Sequence, residues 1–401
     1  MDLRSAGPAS RRRPRGRAAR HGLVHVLDNL EVGGAQRLVL THARHAVATG
    51  TPVTVVSLNA SSDDRISADL RAAGADVVVL DHRTAVSAVA NGLKVAQLVR
   101  VLRRSGTRSV QTHLLYANVL GALAARLSGL PVVATLHSAQ VGGDGNSRRA
   151  LALERAVLRT VPGAVVAVGA VVEQAQRQRL APRTVEVVPN AVEPGVALTE
   201  DQRTRLRASL GAGRDTVLVL AVGRLDTSKG YDELLTAFAV VARRSSGALL
   251  AVAGDGPRRA SLQERVRQDD LRGRVVLLGN RSDVRELLAA ADLYVSASHW
   301  EGLPLALLEA MAAGLPVVST AVGDVPSAVD QTCGVLVPPR APAALTDALT
   351  ALLDDPGRRQ ALGAAARERV SVRFGVPGWV ARLEEVHAAA GSGPERRRGR
   401  R

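Results

Sequence analysis

Thirteen short candidate strands, all but the one at 109–112 rich in valine, leucine or alanine, recur along the chain, most of them separated by longer amphipathic stretches. In the first half they occupy 23–27, 53–57, 77–80, 109–112, 131–136, 164–168 and 185–188. In the second half they occupy 217–222, 248–253, 275–278, 292–297, 316–320 and 334–337. Helical periodicity fills gaps near 34–48, 86–104, 117–128, 171–180 and 231–244. Strands that read as unbroken apolar runs are buried on both faces, and a helix after each strand lets the next return parallel to it. The pattern therefore requires parallel sheets with helices on both sides. It breaks once, at 191–215, where glycine and proline flank a helix that opens with a Thr199–Gln202 capping box. The 401 residues accommodate two domains of ordinary size. The reading is α/β: doubly wound parallel-sheet domains at 21–192 and 193–375, facing across a cleft. A last helical stretch at 376–390 is placed to pack back on the N-terminal domain.

Positive charge is concentrated at the ends. Residues 1–20 carry seven arginines against Asp2, and 391–401 carry five against Glu395, so these segments hold +6 and +4 of the net +16. They read as disordered basic arms, with charge alone as a handle for anionic lipid. Aromatics are only 2% of residues, too few to build stacking platforms, so no nucleic-acid partner is expected. Cys333 is the single cysteine, which rules out an internal disulfide and suits a reducing cytoplasm. No apolar run reaches the roughly 18 residues of a spanning helix, and the N-terminal arginines have no signal-peptide core behind them. The expected location is cytoplasmic, with peripheral contact at the inner membrane face as a use for the arms.

Ligands of open parallel sheets bind beyond the carboxyl ends of the strands, and the chemistry-bearing segments fall there. In HWEGLPLALLEAMAAG (299–314), Pro304 is read as the first residue of a helix that Gly314 closes. From Leu305 to Ala313 only Glu309 is polar, so the helix is buried and its carboxylate needs a partner: a neighbouring backbone, or paired ligand hydroxyls such as those of ribose. Glu301, eight positions earlier, is placed to face the same cavity. In GRLDTSKG (223–230), Arg224 and Lys229 stand between a strand end and a helix N-terminus, a setting for phosphate. Lys229 is one of two lysines, and the string lacks the Gly-Lys-Ser/Thr of a Walker loop. Gly33 and Gly34, in DNLEVGGAQR (28–37), bring amides to the start of another helix, a weak signal alone. GDGP (254–257) reads as a tight turn with Pro257 opening the following helix.

His137 and His113 follow strands at carboxyl edges and point toward the cleft, whereas His25, His42, His45, His82 and His387 read as core or surface residues. No metal-ligand spacing occurs: there is no H-E-x-x-H and no Asp-x-Asp to hold a metal–diphosphate. A departing diphosphate would be neutralised by Arg224, Lys229 and helix ends.

Together these segments resemble the retaining, nucleotide-sugar-dependent glycosyltransferases of the GT-B fold (the family 4-like, group 1 type), which act in polysaccharide and glycoconjugate assembly. The resemblance runs from about residue 22 to about 390. It rests on Glu301-x7-Glu309 within EGLPLALLEAMAAGLPVV, on GRLDTSKG and on GGAQR, with VPN (188–190) and GDGP in support. It implies two Rossmann-like domains, an acceptor side at 21–192 and a donor side at 193–375. It also implies transfer of a sugar from a UDP-sugar or GDP-mannose to a hydroxyl of a saccharide, lipid-linked or small-molecule acceptor, with no cofactor and no metal. By the same resemblance Arg224, Lys229, Gly33 and Gly34 would bind the donor diphosphate. Glu309 would hold the ribose, and Gly302, Leu303, Pro304 and Leu305 would approach the sugar and phosphate. Asn280 and Arg281 would border the base, while His137 and Glu301 would act at the transferring sugar. AVGDVP (321–326) and VPNAVE (188–193) depart from the family's usual second glycine and VPNGVD, which bears on fine positioning. A sugar-nucleotide epimerase of similar fold and a catalytically silent relative remain as alternatives at this point. A dehydrogenase is disfavoured by the missing G-x-G-x-x-G.

Overall fold

The computed structural model describes residues 22–80, 88–138, 148–161, 163–245 and 247–392. His82, the N-terminal basic arm, all but the first two residues of the C-terminal one, and most of residues 81–92 and 138–147 lie outside the described residues. Strands β1 (Leu23–Leu27), β2 (Val53–Ser57), β3 (Asp76–Val79), β4 (Val110–His113), β5 (Val132–Leu136), β6 (Gly163–Ala167) and β7 (Glu186–Val187) form one sheet. Strands β8 (Val217–Val222), β9 (Ala248–Ala253), β10 (Val275–Gly279), β11 (Leu293–Ser296), β12 (Val317–Thr320) and β13 (Gly334–Val337) form the other. In the first half the helices are α1 (Gly34–Ala48), α2 (Arg65–Ala72), α3 (Ala88–Ser105), α4 (Leu115–Leu127), α5 (Arg148–Thr160) and α6 (Ala170–Leu180). After them come α7 (Glu200–Ser209), α8 (Tyr231–Arg244), α9 (Arg259–Val266), α10 (Val284–Ala290) and α11 (Leu305–Ala312). The last are α12 (Val325–Ala328), α13 (Pro342–Leu353), α14 (Pro356–Arg373) and α15 (Val376–Gly391).

Every strand pair is parallel, in the orders β3-β2-β1-β4-β5-β6-β7 and β10-β9-β8-β11-β12-β13. Both orders reverse beside their first strand, so the crevices lie between β1 and β4 and between β8 and β11. The central strands are apolar on both faces because helices cover both: β9 (ALLAVA) is buried at all six positions. The C-terminal core accordingly splits into two clusters, one on each side of its sheet.

The capping box forms as read, with Thr199 Oγ1 accepting from the Gln202 amide at 3.2 Å and Gln202 Oε1 accepting from the Thr199 amide at 2.9 Å. The last helix, α15, leaves the C-terminal half and buries Trp379, Val380 and Leu383 against Leu38, Val133 and Val166 of the first domain. Val192 pairs with Gly375 in a parallel bridge, so the outgoing linker and the returning chain run side by side. Two helix starts differ from the sequence reading. Pro304 is the N-cap of α11 with ψ 124, not its first helical residue, and α9 begins at Arg259 with Arg258 as cap, leaving Pro257 in the turn. Proline's fixed φ suits either place, so composition alone does not separate them. No helix among the described residues is long and apolar enough to cross a membrane.

Candidate functional site

The loop after β8 is built by three local devices. Asp226 accepts a hydrogen bond from the Ser228 amide at 2.9 Å and so caps a 3₁₀ turn at Thr227–Lys229. Gly230 then turns left-handed at φ +61, and a Cβ there would collide with the Ala297 carbonyl oxygen, so only glycine fits. The GDGP turn braces the loop from below: the Leu225 amide donates to Asp255 O and the Arg258 amide to Leu225 O, both at 2.9 Å.

These constraints carry Lys229 to the loop after β11. Lys229 Nζ lies 2.5 Å from Glu301 Oε1, which also accepts from Ser298 Oγ at 2.7 Å. Both side chains are largely buried, at 24% and 12% exposure. Arg224, in contrast, is 70% exposed and only loosely paired with Asp226 at 3.7 Å, so its guanidinium is open to solvent. Just beyond Glu301, α11 starts without a side-chain cap among the described residues, leaving first-turn amides available to an anion. Leu303 is buried and its carbonyl is held by Asn190 Nδ2 at 2.8 Å. The VPN asparagine thus fixes the turn before α11 from the first domain.

Glu309 sits one turn into α11 and is paired across the domain boundary, with Arg37 Nη1 3.2 Å from its Oε1 and 3.3 Å from its Oε2. Burial raises its pKa, and Arg37 pulls it back toward the ordinary range. The two carboxylates therefore meet different cations. Glu309 lines a cavity of about 400 Å³ between α1, α2 and α10, together with Arg37, Arg281, Arg285 and Leu305. Lys229, Glu301, Arg224 and His137 do not line it. Gly33 is the extended N-cap of α1, and Gly34 approaches the same boundary, since a Cβ on it would lie 3.7 Å from Leu305 Cδ1. Arg281 reaches the cavity but is bound through two nitrogens by Asp283, at 2.7 and 2.5 Å, and Asn280 is exposed.

His137 is half-buried beside the Glu301–Gly302 turn: a Cβ on Gly302 would stand 3.5 Å from its carbonyl oxygen. Burial lowers its pKa to about 4. His113 does not point into the cleft. It is the last residue of β4, 1% exposed, and bridges His25 and His137. The sequence hides this, because a histidine at a strand end looks the same whether it caps the edge or lies under it.

Two contributors have no role assigned to them from the sequence. Arg37 enters there only as the last residue of GGAQR. Asp324 lies across the boundary from α6 and accepts from the Val171 amide at 3.1 Å, so a carboxylate of one domain caps a helix of the other. A Cβ on Gly169 would collide with Asp324 Oδ2, which is why the α6 N-cap is glycine. No group of three or more His, Cys, Asp or Glu side chains among the described residues is arranged to hold a metal ion.

Because Arg37 counters Glu309's burial, Arg37→Leu is expected to raise the Glu309 pKa further. If Glu309 holds a ribose, as the resemblance implies, the acid limb of nucleoside-diphosphate binding should then move toward neutral pH, with weaker binding at pH 6 than at pH 8 by calorimetric titration. A variant whose pH profile overlays the parent's would show that Glu309 takes no part in binding.

The chain matches the family described as "Glycosyl transferases group 1" over residues 202–369 and "Glycosyltransferase Family 4" over residues 32–196. It is 30% identical over 298 residues to 2-deoxystreptamine glucosyltransferase of Streptomyces kanamyceticus, covering 70% of this chain and 77% of that one. It is 32% identical over 179 residues to alpha-D-kanosaminyltransferase of the same organism, where the match covers 44% of this chain and only 46%, about half, of the relative. Among solved structures it resembles Anabaena HepE in complex with UDP and glucose, with a TM-score of 0.80 at 21% identity, over 92% of this chain and all of that one. Two facing parallel-sheet domains, both family matches and the coverage of the glucosyltransferase agree: the chain belongs to the group 1 glycosyltransferases, transferase enzymes of the GT-B fold.

Proposed function

We propose that this chain moves a glycosyl group from a nucleoside-diphosphate sugar to an acceptor hydroxyl with retention of anomeric configuration. The observation that carries this reading is the Lys229–Glu301 pair beside the open Arg224 and the uncapped start of α11. Two cations and a helix N-terminus at one strand edge are a setting for a diphosphate, and its negative charge grows as the sugar departs. Lys229 and Arg224 take the diphosphate, with the amides at Gly33 and Gly34 closing over it from the facing domain. Glu309 accepts from the ribose hydroxyls, and the cavity beside Arg281 and Asn280 takes the base. Glu301, held by Lys229 and Ser298, accepts from hydroxyls of the transferring sugar, with His137 on the other side of Gly302.

Retention by double displacement needs a nucleophile about 5–5.5 Å from a second carboxyl. Here Glu301 is already engaged by Lys229, so among the described residues no free carboxylate pair presents itself to an anomeric carbon. The reading is front-face transfer: the bond from the anomeric carbon to the diphosphate oxygen breaks, the acceptor oxygen bonds on the same face, and the acceptor proton passes to the departing phosphate. Diphosphate charge is neutralised by arginine, lysine and amide dipoles, without a required divalent ion.

A thermal-shift panel of UDP-, GDP-, ADP- and TDP-linked sugars tests the donor class, since a ligand of the native state raises Tm. One base series is expected to raise it, and transfer with that donor should yield the donor's own anomeric configuration and survive EDTA. If no sugar nucleotide shifts Tm and none is turned over, the reading is wrong. Trapping a glycosyl group on a side chain would remove the front-face mechanism.

A further inference from the structure

Three histidines from three neighbouring strands meet end to end beneath this site. His25 Nδ1 lies 3.0 Å from His113 Nε2, and His113 Nδ1 lies 3.1 Å from His137 Nε2. His25 is in the middle of β1, His113 ends β4 and His137 directly follows β5, so the chain of rings crosses the sheet toward the cleft. Successive ring centroids are both 5.3 Å apart. His25 and His113 are 0% and 1% exposed, and burial lowers the pKa of all three rings, so each is neutral near pH 7.

A neutral imidazole has one N–H and one lone pair. Each of the two links needs one donor, so the polarity of the whole chain is all-or-none: every N–H points toward His137, or every N–H points away. If they point away, His25 Nε2 carries its proton into a buried position where it has no hydrogen-bond partner. Orphaned buried N–H groups are rare because their desolvation is uncompensated. If they point toward His137, His25 Nε2 keeps a bare lone pair, His137 Nε2 accepts, and the His137 proton is forced onto Nδ1. That nitrogen has no hydrogen-bond partner among the described residues, and the backbone carbonyl of the same residue faces Gly302 of the Glu301–Gly302 turn.

We propose that His25 and His113 are positioning residues that lock His137 in its Nδ1–H tautomer, so that the site presents a fixed hydrogen-bond donor, rather than an acceptor, to an oxygen of the bound glycosyl donor. The inner rings do not touch substrate. They act through His137, because the nitrogen that carries its proton is set by the bond made at the other nitrogen. No net proton moves along the chain. The assignment of what His137 meets rests on the function proposed above, whereas the tautomer does not.

The test is ¹⁵N NMR of the full chain labelled at histidine, with the His137 signals identified from their loss in His137→Gln. The parent is expected to show a pyrrole-like Nδ1 and a pyridine-like Nε2 at His137. In His113→Asn the amide nitrogen replaces Nδ1 as donor, so the same pattern should persist, with kcat close to the parent's. In His113→Leu the donor is gone: His137 should become a mixture of tautomers, and kcat should fall on the order of tenfold with the donor KM little changed. A proton on Nε2 of His137 in the parent, or an unchanged tautomer in His113→Leu, overturns the proposal. The parent spectrum alone decides the polarity, so poor folding of a variant does not shelter the claim. A parent with the expected tautomer but no transfer activity would refute the glycosyltransferase reading of the site and leave the histidine chain standing.

Discussion

Lys229→Ala is expected to lower kcat for glycosyl transfer by about 10²- to 10³-fold while the chain stays folded, the scale seen when one preorganised donor to developing negative charge is removed. The loop that carries Lys229 does not depend on its side chain. It is held by the Asp226 cap, by the left-handed Gly230, by backbone bonds to the GDGP turn, and by Tyr231 Oη donating to the Gly223 carbonyl at 3.0 Å. Without donor, the lysine charge is matched by Glu301. An arriving diphosphate brings more negative charge to the same ammonium, and more still as the sugar leaves, so the interaction strengthens toward the transition state. Lys229→Arg should not restore activity, because a planar fork cannot occupy the point-charge position enclosed by Glu301 and Gly223. The measurements are steady-state kinetics alongside Tm for each variant. Turnover of Lys229→Ala within a factor of two or so of the parent would remove the diphosphate assignment.

The second large effect is acid lability of the N-terminal half. His25, His42, His113, His137 and His387 are all held neutral by burial, with pKa values lowered to about 3 for His42 and about 4 for His137 and His387. The unfolded chain begins to protonate each ring near 6.5, whereas the folded chain refuses the proton until far lower pH. Unfolding therefore takes up protons throughout that window, and stability is lost as pH falls below about 6.5. Five such groups amount to on the order of 5 kcal/mol between pH 7.5 and 5.5. Asp28 opposes part of this. Its burial raises its pKa to about 6 from 3.8, so the folded chain holds that proton more tightly and gains stability as pH falls through the same range. Glu309 and Asp324, also raised by burial, act in the same sense.

All five rings lie in or directly beyond the strands of the first sheet, in α1, or in α15 packed on it, and His42 lies edge-on to both Trp379 and His25 at about 5 Å. Calorimetry should therefore show the transition of the N-terminal half dropping by on the order of 10 °C from pH 7.5 to 5.5, ahead of the C-terminal half. A Tm flat across that range would mean that the rings are not buried as neutral groups.

Much of the fold is readable along the chain because parallel-sheet strands are continuous apolar runs of four to six residues. The strands at 23–27, 53–57, 217–222, 248–253 and 334–337 form at those residues. Helices α2, α5, α10, α12, α13 and α14 are not in the sequence reading, and for α2 and α5 the physical reason is visible. The eight residues of α2 are too few to display a period, and the buried face of α5 includes Glu154, which a hydrophobic pattern counts as outward. Glu154 is 4% exposed because Arg179 and Asn118 satisfy it, at 2.9 and 3.0 Å, from other helices.

The candidate site divides along the same line. Arg224, Lys229, Glu301 and Glu309 are conspicuous because charge stands out at strand ends and on an apolar helix, and the loops that carry them are built from neighbours a few residues away. Sequence by itself therefore determined the two-sheet architecture, the starts of those helices it named to within a residue or two, and which charged groups lie at the strand ends. Tertiary structure alone decided that Lys229 meets Glu301 while Glu309 meets Arg37, that Asp324 caps a helix of the facing domain, and that His113 lies under the strand edge between two other rings. Periodicity and capping are interactions among residues within a few positions of one another. Pairing of buried charges and rings is decided by which distant strands and helices are brought side by side, and no local pattern encodes that.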